Sequence, residues 1–222
     1  MNGFQAGNSR PNRQLSVVDE IRAILKRGAN ETWRLGLTEA QLDQSGQYAE
    51  MLVEWNRIRI NLTRLVSPRD IAVKHSPDSL ALLTVCTLPS GARVIDVGTG
   101  ARLPGLALKI VRPDLRVILL DSTAKKLLFC RAVAEELGLS EVETVHARAG
   151  APLETLLPWL APFAAPHGRI AALKGASVAE EIAATRPALK RLNLALNSFA
   201  VLLPEAGEET VRQIVLAQRS PK

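Results

Sequence analysis

The chain predicts an α/β fold built on a doubly wound, mostly parallel sheet, and three observations carry that expectation. From Arg93 onward, short apolar runs rich in Val, Ile and Leu alternate with longer segments of helical period, the pattern of a parallel sheet with helices on both faces. The run Val94-Ile95-Asp96-Val97 leads straight into Gly98-Thr99-Gly100, where glycine permits a sharp turn and a close backbone approach to a ligand, and then into a helix whose first turn suits Pro104. A second strand, Val117 to Leu120, ends in Asp121, an acid placed to accept hydrogen bonds from ribose hydroxyls.

Taken in order, residues 1–14 carry Asn, Gly, Arg and Gln without the apolar core of a signal peptide and read as a disordered basic arm. Residues 15–90 form an N-terminal helical layer beside the sheet. It opens with an amphipathic helix from Val17 to Lys26. Thr38-x-x-Gln41 is a capping box that starts a longer helix to about Ile58, with an apolar stripe of Leu42, Tyr48, Met51, Leu52 and Trp55. Trp55 is read as core packing in preference to a base-stacking platform. Ser67-Pro68 starts a further short helix, with serine as cap and proline in the first turn.

Residues 91–222 hold the sheet. The expected elements are a strand Arg93 to Val97, a helix Pro104 to Val111, a strand Arg116 to Leu120, a helix Thr123 to Leu137 stopped by Gly138, and a strand Val142 to His146. A helix Pro152 to Leu160, a strand Arg169 to Leu173 and a helix Val178 to Leu192 follow. Ala195 to Leu203 and Thr210 to Ala217, joined by a turn-rich segment, form an antiparallel hairpin at the end of the sheet.

Composition bounds the function. A chain of 222 residues is one domain of ordinary size with a small appendage, and 47% hydrophobic content supplies a full core. A net charge of +6 fits a polyanionic partner without proving one. Cys86 and Cys130 lie in apolar contexts and read as buried free thiols of a reducing compartment. The three histidines show no metal-ligand spacing, and no apolar run approaches the ~20 residues of a membrane span. A cytoplasmic, monomeric, metal-free protein is expected.

The glycine pattern alone does not specify the cofactor. Nicotinamide enzymes favour G-x-G-x-x-G, whereas this chain has G-x-G-x-R-x-P-G, and the acid Asp96 inside the strand is more typical of S-adenosylmethionine methyltransferases. Asp121 stands at the expected separation of about 20 residues. The alternative is a tight strand-helix turn with no ligand, and for Asp121 an acid serving the dipole of the next helix.

Around the turn stand Trp55-Asn56-Arg57, Asn61-Leu62-Thr63, Lys74-His75 with Asp78-Ser79-Leu80, Asp121-Ser122 with Lys125-Lys126, and Leu173-Lys174-Gly175. In this order the set resembles the RsmG (GidB) family of bacterial ribosomal RNA methyltransferases, from about Leu42 to the C-terminus. The resemblance implies a Rossmann-like class I methyltransferase fold and methyl transfer from S-adenosylmethionine to the N7 of one guanine in small-subunit (16S) ribosomal RNA. RNA is read mainly through shape and unpaired bases, and the sequence shows no RNA-binding module of its own, so a partly assembled ribosomal particle is the expected partner that shapes the target.

The same resemblance exposes a gap. The usual fold of this class has seven strands in the order 3-2-1-4-5-7-6. Here five residues, Ala147 to Ala151, separate the third strand from the helix that should follow the fourth, whereas a parallel crossover needs about a dozen or more. The family has Arg-Ala-Glu after strand three and a second Arg-Ala, then Ala-Pro-Leu, after strand four. This chain has a single Arg148-Ala149 followed by Gly150-Ala151-Pro152-Leu153. Strand four is missing from the text, and the expected outcome is a six-stranded sheet in which strands one and five close up and pair.

On this reading Gly98, Gly100 and Leu103 hold the methionine end of the cofactor, and Asp121 takes the ribose. Arg148, Ala149 and Gly150 flank the adenine. Asp96 positions the turn or meets the cofactor's amino group. Arg57, Arg59, Arg64, Arg69, Lys74, Lys125, Lys126, Arg131 and Lys174 are candidate phosphate contacts, each equally readable as a solvated basic position. Asn61 and His75 match the family motif and also read as a loop cap and a satisfied imidazole. Arg102 stands where the family has glycine, Ser76-Pro77 interrupts a segment the family keeps helical, and Thr210 lies near a usual arginine. These departures keep a second reading open, a homologue that binds RNA or the ribosome after losing cofactor affinity. A nicotinamide oxidoreductase is the remote third. No catalytic acid or base is expected, because guanine N7 has an available lone pair.

Overall fold

The computed structural model describes residues 16–29, 34–58, 79–99, 104–147, 151–174, 178–203 and 210–219. The expected arm at residues 1–14 and the Ser67-Pro68 helix lie outside them.

Two capping boxes start the helical layer. In α1 (Val17–Gly28) the Asp19 N–H donates to Ser16 Oγ while the Ser16 N–H reaches back to the Asp19 carboxylate. In α2 (Glu39–Ile58) the Gln41 N–H donates to Thr38 Oγ1 at 3.2 Å and the Thr38 N–H to Gln41 Oε1 at 2.9 Å, as the sequence predicts. The apolar stripe of α2 faces inward: Leu42, Tyr48 and Leu52 are buried, and Met51 and Trp55 pack half-buried on the same core. Trp55 meets Phe129 edge-on with ring centroids 5.4 Å apart, so it packs as expected. A third helix, α3 (79–85), buries Leu80, Ala81 and Leu82.

The first sheet is parallel, in the order β1 (Arg93–Val97), β2 (Arg116–Asp121), β3 (Val142–His146), with Val97 opposite Leu120 and Asp121 opposite His146. Its crossovers are α4 (Pro104–Val111) and α5 (Ala124–Glu136). Val117 and Leu119 point into the core shared with α1, α2, α3, α4 and α5. After β3 come α6 (Leu153–Leu160), β4 (Arg169–Lys174), α7 (Ala179–Leu192), β5 (Leu194–Leu203) and β6 (Thr210–Arg219). The last two form the expected antiparallel hairpin, Leu203 opposite Thr210.

The sheet does not close up. Among the described residues the strands form two separate three-stranded sheets, β1-β2-β3 and β4-β6-β5, and β4 pairs only with β6. The expected pairing of β1 with β4 is therefore corrected: among the described residues β1 pairs only with β2 and β4 only with β6. Packing explains why. β6 sends Ile214 and Leu216 into the large core and Val215 and Ala217 into a second core with Leu153, Leu157, Ala161, Val178 and Leu194, the alternation of a strand buried on both faces. That holds β4 through its neighbour, and Arg169 adds a contact to the Thr87 carbonyl. Each half is fixed by the helices beneath it and not by the other's edge. The first sheet is correspondingly bare on one face, where Ile95 and Val145 are each 40% exposed.

Candidate functional site

In doubly wound sheets ligands bind beyond the carboxyl ends of the strands. Here the ends of β1, β2 and β3 are tied into one rim. The N–H groups of Gly98 and Thr99 both donate to the Leu120 carbonyl, at 2.8 and 3.2 Å, so the glycine turn rests on the end of β2. The Ala147 N–H donates to the Asp121 carbonyl at 3.1 Å, and a ring nitrogen of His146 lies 3.0 Å from the Ser122 carbonyl. Gly98 has φ of +72°, a conformation that costs a residue bearing a Cβ about 1–2 kcal/mol.

Asp96 secures the turn from below. Its Oδ2 accepts from Thr99 Oγ1 at 2.6 Å and from the Gly105 N–H at 3.0 Å, on either side of the residues that make the loop. Burial raises the Asp96 pKa, and these two hydrogen bonds act against that shift. Of its two expected roles, the structure shows the positioning of the turn. Gly105 lets α4 come down onto the sheet: a Cβ there would fall 2.5 Å from Leu119 Cδ2 and 3.1 Å from Asp96 Oδ2.

Asp121 is buried at the end of β2, next to the turn. Its Oδ1 accepts from the Thr123 N–H at 2.8 Å, and Lys126 Nζ stands 3.6 Å from Oδ2. It thus serves the start of α5, where Thr123 makes no side-chain cap. That is the structural part expected of it.

Of the other expected cofactor residues, Gly100, Leu103, Arg148, Ala149 and Gly150 lie outside the described residues, as does Arg102. So do Arg59, Asn61, Arg64, Arg69, Lys74, His75 and Ser76-Pro77. Arg57 and Lys125 are exposed on α2 and α5. Arg131 donates to Thr144 Oγ1 at 2.5 Å. Lys174, at the end of β4, pairs with Glu181: its Nζ is 2.7 Å from Glu181 Oε1, which also accepts from the Leu153 N–H at 2.8 Å. The Lys174 ammonium, chiefly through its hydrogen bond, holds the Glu181 carboxyl below the usual range. Glu181 therefore ties the end of β4 to the start of α6, a role for which the sequence offered no signal beyond an acid in the first turn of α7. Thr99, Gly105 and His146 stand in the sequence pattern without a role assigned to them. Thr99, three residues after Asp96, has the spacing of a local side-chain bond and was findable.

Among the described residues no group of His, Cys, Asp and Glu could hold a metal ion, and no helix is long and apolar enough to cross a membrane. Cys86 and Cys130 are buried free thiols, as expected.

Solved structures share this architecture. A methyltransferase from Pyrococcus furiosus superposes with a TM-score of 0.52 at 13% identity, covering 78% of this chain and 98% of that one. TrmN from Thermus thermophilus superposes with a TM-score of 0.50 at 17% identity over 93% of this chain and 80% of that one. At these identities the likeness shows the fold, that of a class I methyltransferase. In sequence, the ribosomal RNA small subunit methyltransferase G of Desulfitobacterium hafniense is 34% identical over 92% of each chain. The proteins of the same name from Roseiflexus sp. and Geobacter sp. are 35% and 31% identical, covering 85% and 92% of this chain and 88% and 100% of theirs. The first of these alignments spans 224 positions yet draws on 92% of 222 residues, about 204, so about 20 positions of the relative have no counterpart here. A deficit of that length is enough for the helix and strand of one crossover, the segment the sequence pattern lacks. Residues 41–208 match the family described as rRNA small subunit methyltransferase G, and with relatives this similar over most of its length the chain belongs to that family, GidB.

Proposed function

We propose that this protein transfers a methyl group from S-adenosylmethionine to the N7 of a guanine in 16S ribosomal RNA, acting in the cytoplasm on RNA held in a ribosomal particle. The observation that carries the reading is the rim at the ends of β1 and β2. There the Gly98–Thr99 turn hangs from the Leu120 carbonyl beside the buried Asp121, with Asp96 stapling the turn from beneath. This set of groups suits the cofactor: carboxylates that accept from hydroxyl and ammonium groups, and a glycine backbone that a ligand can approach closely. Family membership supplies the chemistry and the RNA class.

S-adenosylmethionine, when bound, supplies an electrophilic methyl group on a sulfonium. Gly98, Gly100 and Leu103 hold its methionine end, Asp121 the ribose, and Arg148, Ala149 and Gly150 the adenine, while Asp96 keeps the turn in place. No proton has to leave guanine N7, so the chain's task is to hold the base in line and exclude water, and no catalytic acid or base is required. Arg57, Arg59, Arg64, Lys74, Lys125 and Lys126 contact phosphates of the RNA, an electrostatic grip that weakens with salt. Lys174 does so only by leaving Glu181. Residues 15–90 act as a helical layer over residues 91–222, the methyltransferase domain, and the protein works as a monomer.

Isothermal calorimetry with S-adenosylmethionine tests this, with Asp121→Ala as control. Micromolar binding by the wild type, weakened at least tenfold in the variant, followed by methyl transfer to small ribosomal subunits, is the expected result. A folded protein that binds no S-adenosylmethionine but retains RNA would instead establish the second reading, a binding homologue. That reading starts from the fourth strand missing from the sequence, and among the described residues β1 and β4 do not pair with each other.

A further inference from the structure

Where β2 and β3 leave the sheet, one side chain bridges the two exits. Asp121 and His146 stand opposite each other in register. Among the described residues the last backbone bond between these strands runs from the Ala147 N–H to the Asp121 carbonyl, at 3.1 Å. Ser122 lies one residue past that bond, and its carbonyl oxygen is 3.0 Å from Nε2 of the His146 ring.

The chemistry of the pair fixes the ring. A carbonyl oxygen only accepts, so Nε2 carries the hydrogen, and in the neutral imidazole Nδ1 is then the bare nitrogen. The bond reaches a short loop that is held from both sides. Asp121 Oδ1 takes the Thr123 N–H at 2.8 Å, and the histidine takes the carbonyl of the residue between them. The bond also joins two segments of different assignment. Asp121, next to Ser122, is the residue placed on the ribose, and Arg148, Ala149 and Gly150, two residues after His146, are those placed on the adenine. His146 itself is exposed, and an exposed hydrogen bond of this kind adds little to the stability of the fold. Its effect lies in where it holds the Ser122 loop relative to the end of β3.

We propose that His146 is a positioning residue for the adenosine half of S-adenosylmethionine: its Nε2–H holds the loop after β2 against the exit of β3 and so sets the spacing of the ribose and adenine segments. The proposal rests on the cofactor reading above and adds to it a side chain that acts through Ser122. A loop held in place beforehand does not have to be ordered when the ligand arrives, and that saving appears as affinity.

The test compares His146→Gln, His146→Asn and His146→Leu with the wild type, by calorimetric titration with S-adenosylmethionine and with methylthioadenosine, which lacks the amino-acid end. Glutamine carries an N–H as many bonds from the backbone as Nε2, asparagine one bond fewer, and leucine none. His146→Leu and His146→Asn should bind both ligands about tenfold more weakly, while His146→Gln stays within about threefold of the wild type. Unfolding temperatures should agree within about 2 °C, as the loss of one exposed bond allows. Nitrogen-15 spectra of the wild type in mildly alkaline buffer should show the hydrogen on Nε2. Equal, measurable affinity in wild type and His146→Leu overturns the proposal, and so does an equal loss in His146→Gln, which would mean that the ring and not its N–H matters. A hydrogen on Nδ1, or a much lower unfolding temperature for His146→Leu, overturns it as well. A wild type that binds no S-adenosylmethionine overturns the cofactor reading and this proposal together, a pattern distinct from equal binding by all four proteins.

Discussion

Replacing Gly105 by alanine sets two effects of opposite sign against each other. Gly105 sits in the first turn of α4, and on helix propensity alone alanine gains up to about 1 kcal/mol. Space decides the other way. The added Cβ would lie 2.5 Å from Leu119 Cδ2 and 3.1 Å from both Cβ and Oδ2 of Asp96, where 3.4–4 Å is ordinary contact. Neither neighbour can yield easily. Leu119 is fully buried, and Asp96 is held by Thr99 as well as by Gly105 itself. Overpacking of this kind costs about 1–3 kcal/mol, and moving α4 outward stretches the Gly105 N–H bond to the carboxylate, a charge-assisted bond of about 1.5 kcal/mol or more. The net loss is about 2 kcal/mol, which lowers Tm by about 4–8 °C in a protein of this size. Circular dichroism melts of the two proteins, run in parallel at one pH, measure it, and calorimetry should show weaker cofactor binding in the variant. A Tm equal to or above the wild type would mean that propensity wins, and the argument that α4 is pressed against β1 and β2 at this glycine would fall.

Three further outcomes are expected. Lys109 is 1% exposed and its ammonium donates to the carbonyls of Pro113 and Leu115 at 2.7 and 2.5 Å; Lys109→Met leaves both without that donor and should cost about 2 kcal/mol in urea unfolding. Glu181 has its pKa held below the ordinary 4.5, chiefly by the Lys174 hydrogen bond, so its contribution is present above 4.5 and lost as pH falls through the lower folded-state value; Glu181→Gln should be less stable by about 1 kcal/mol at neutral pH and show a flatter acid limb in melts from pH 7 to 3. The Cys130 thiol is pushed up to about 12, mainly by burial, and Cys86 is 4% exposed, so an aromatic disulfide reagent should find no reactive thiol in the native protein and two after denaturation; prompt reaction in the native state would contradict the packing of α3 and α5.

The legible parts of the fold were those written in short-range code. The Thr38-x-x-Gln41 box, Pro104 at the head of α4, Gly98 in its left-handed turn and the β5-β6 hairpin each follow from residues a few positions apart. The absence of a strand was legible too, because five residues cannot make a crossover. What its neighbours do about it was not. The partner of β4 is set by contacts among segments far apart in the chain, such as Ile214 and Leu216 reaching the core of the helical layer, and no local pattern encodes that balance. At the site, the sequence put Asp96 within β1 and Asp121 at the end of β2, where the structure has them, but could not apportion their bonds. It likewise saw Lys174 as a cation near the cleft without seeing that Glu181 neutralises it.

The two half-sheets also say something about how this architecture bears a loss. A helix and the strand it feeds make one full period of the winding, out along one face and back through the sheet. Excising a whole period, about 20 residues, returns the chain to the same end of the sheet, so each later strand keeps its direction and each remaining crossover its hand. A strand removed alone would have reversed everything after it. The rim that carries Gly98, Asp121 and the end of β4 therefore survives as a place. What goes is stiffness against shear, since among the described residues no ladder of amide bonds couples the half that carries the glycine turn to the half that carries Lys174.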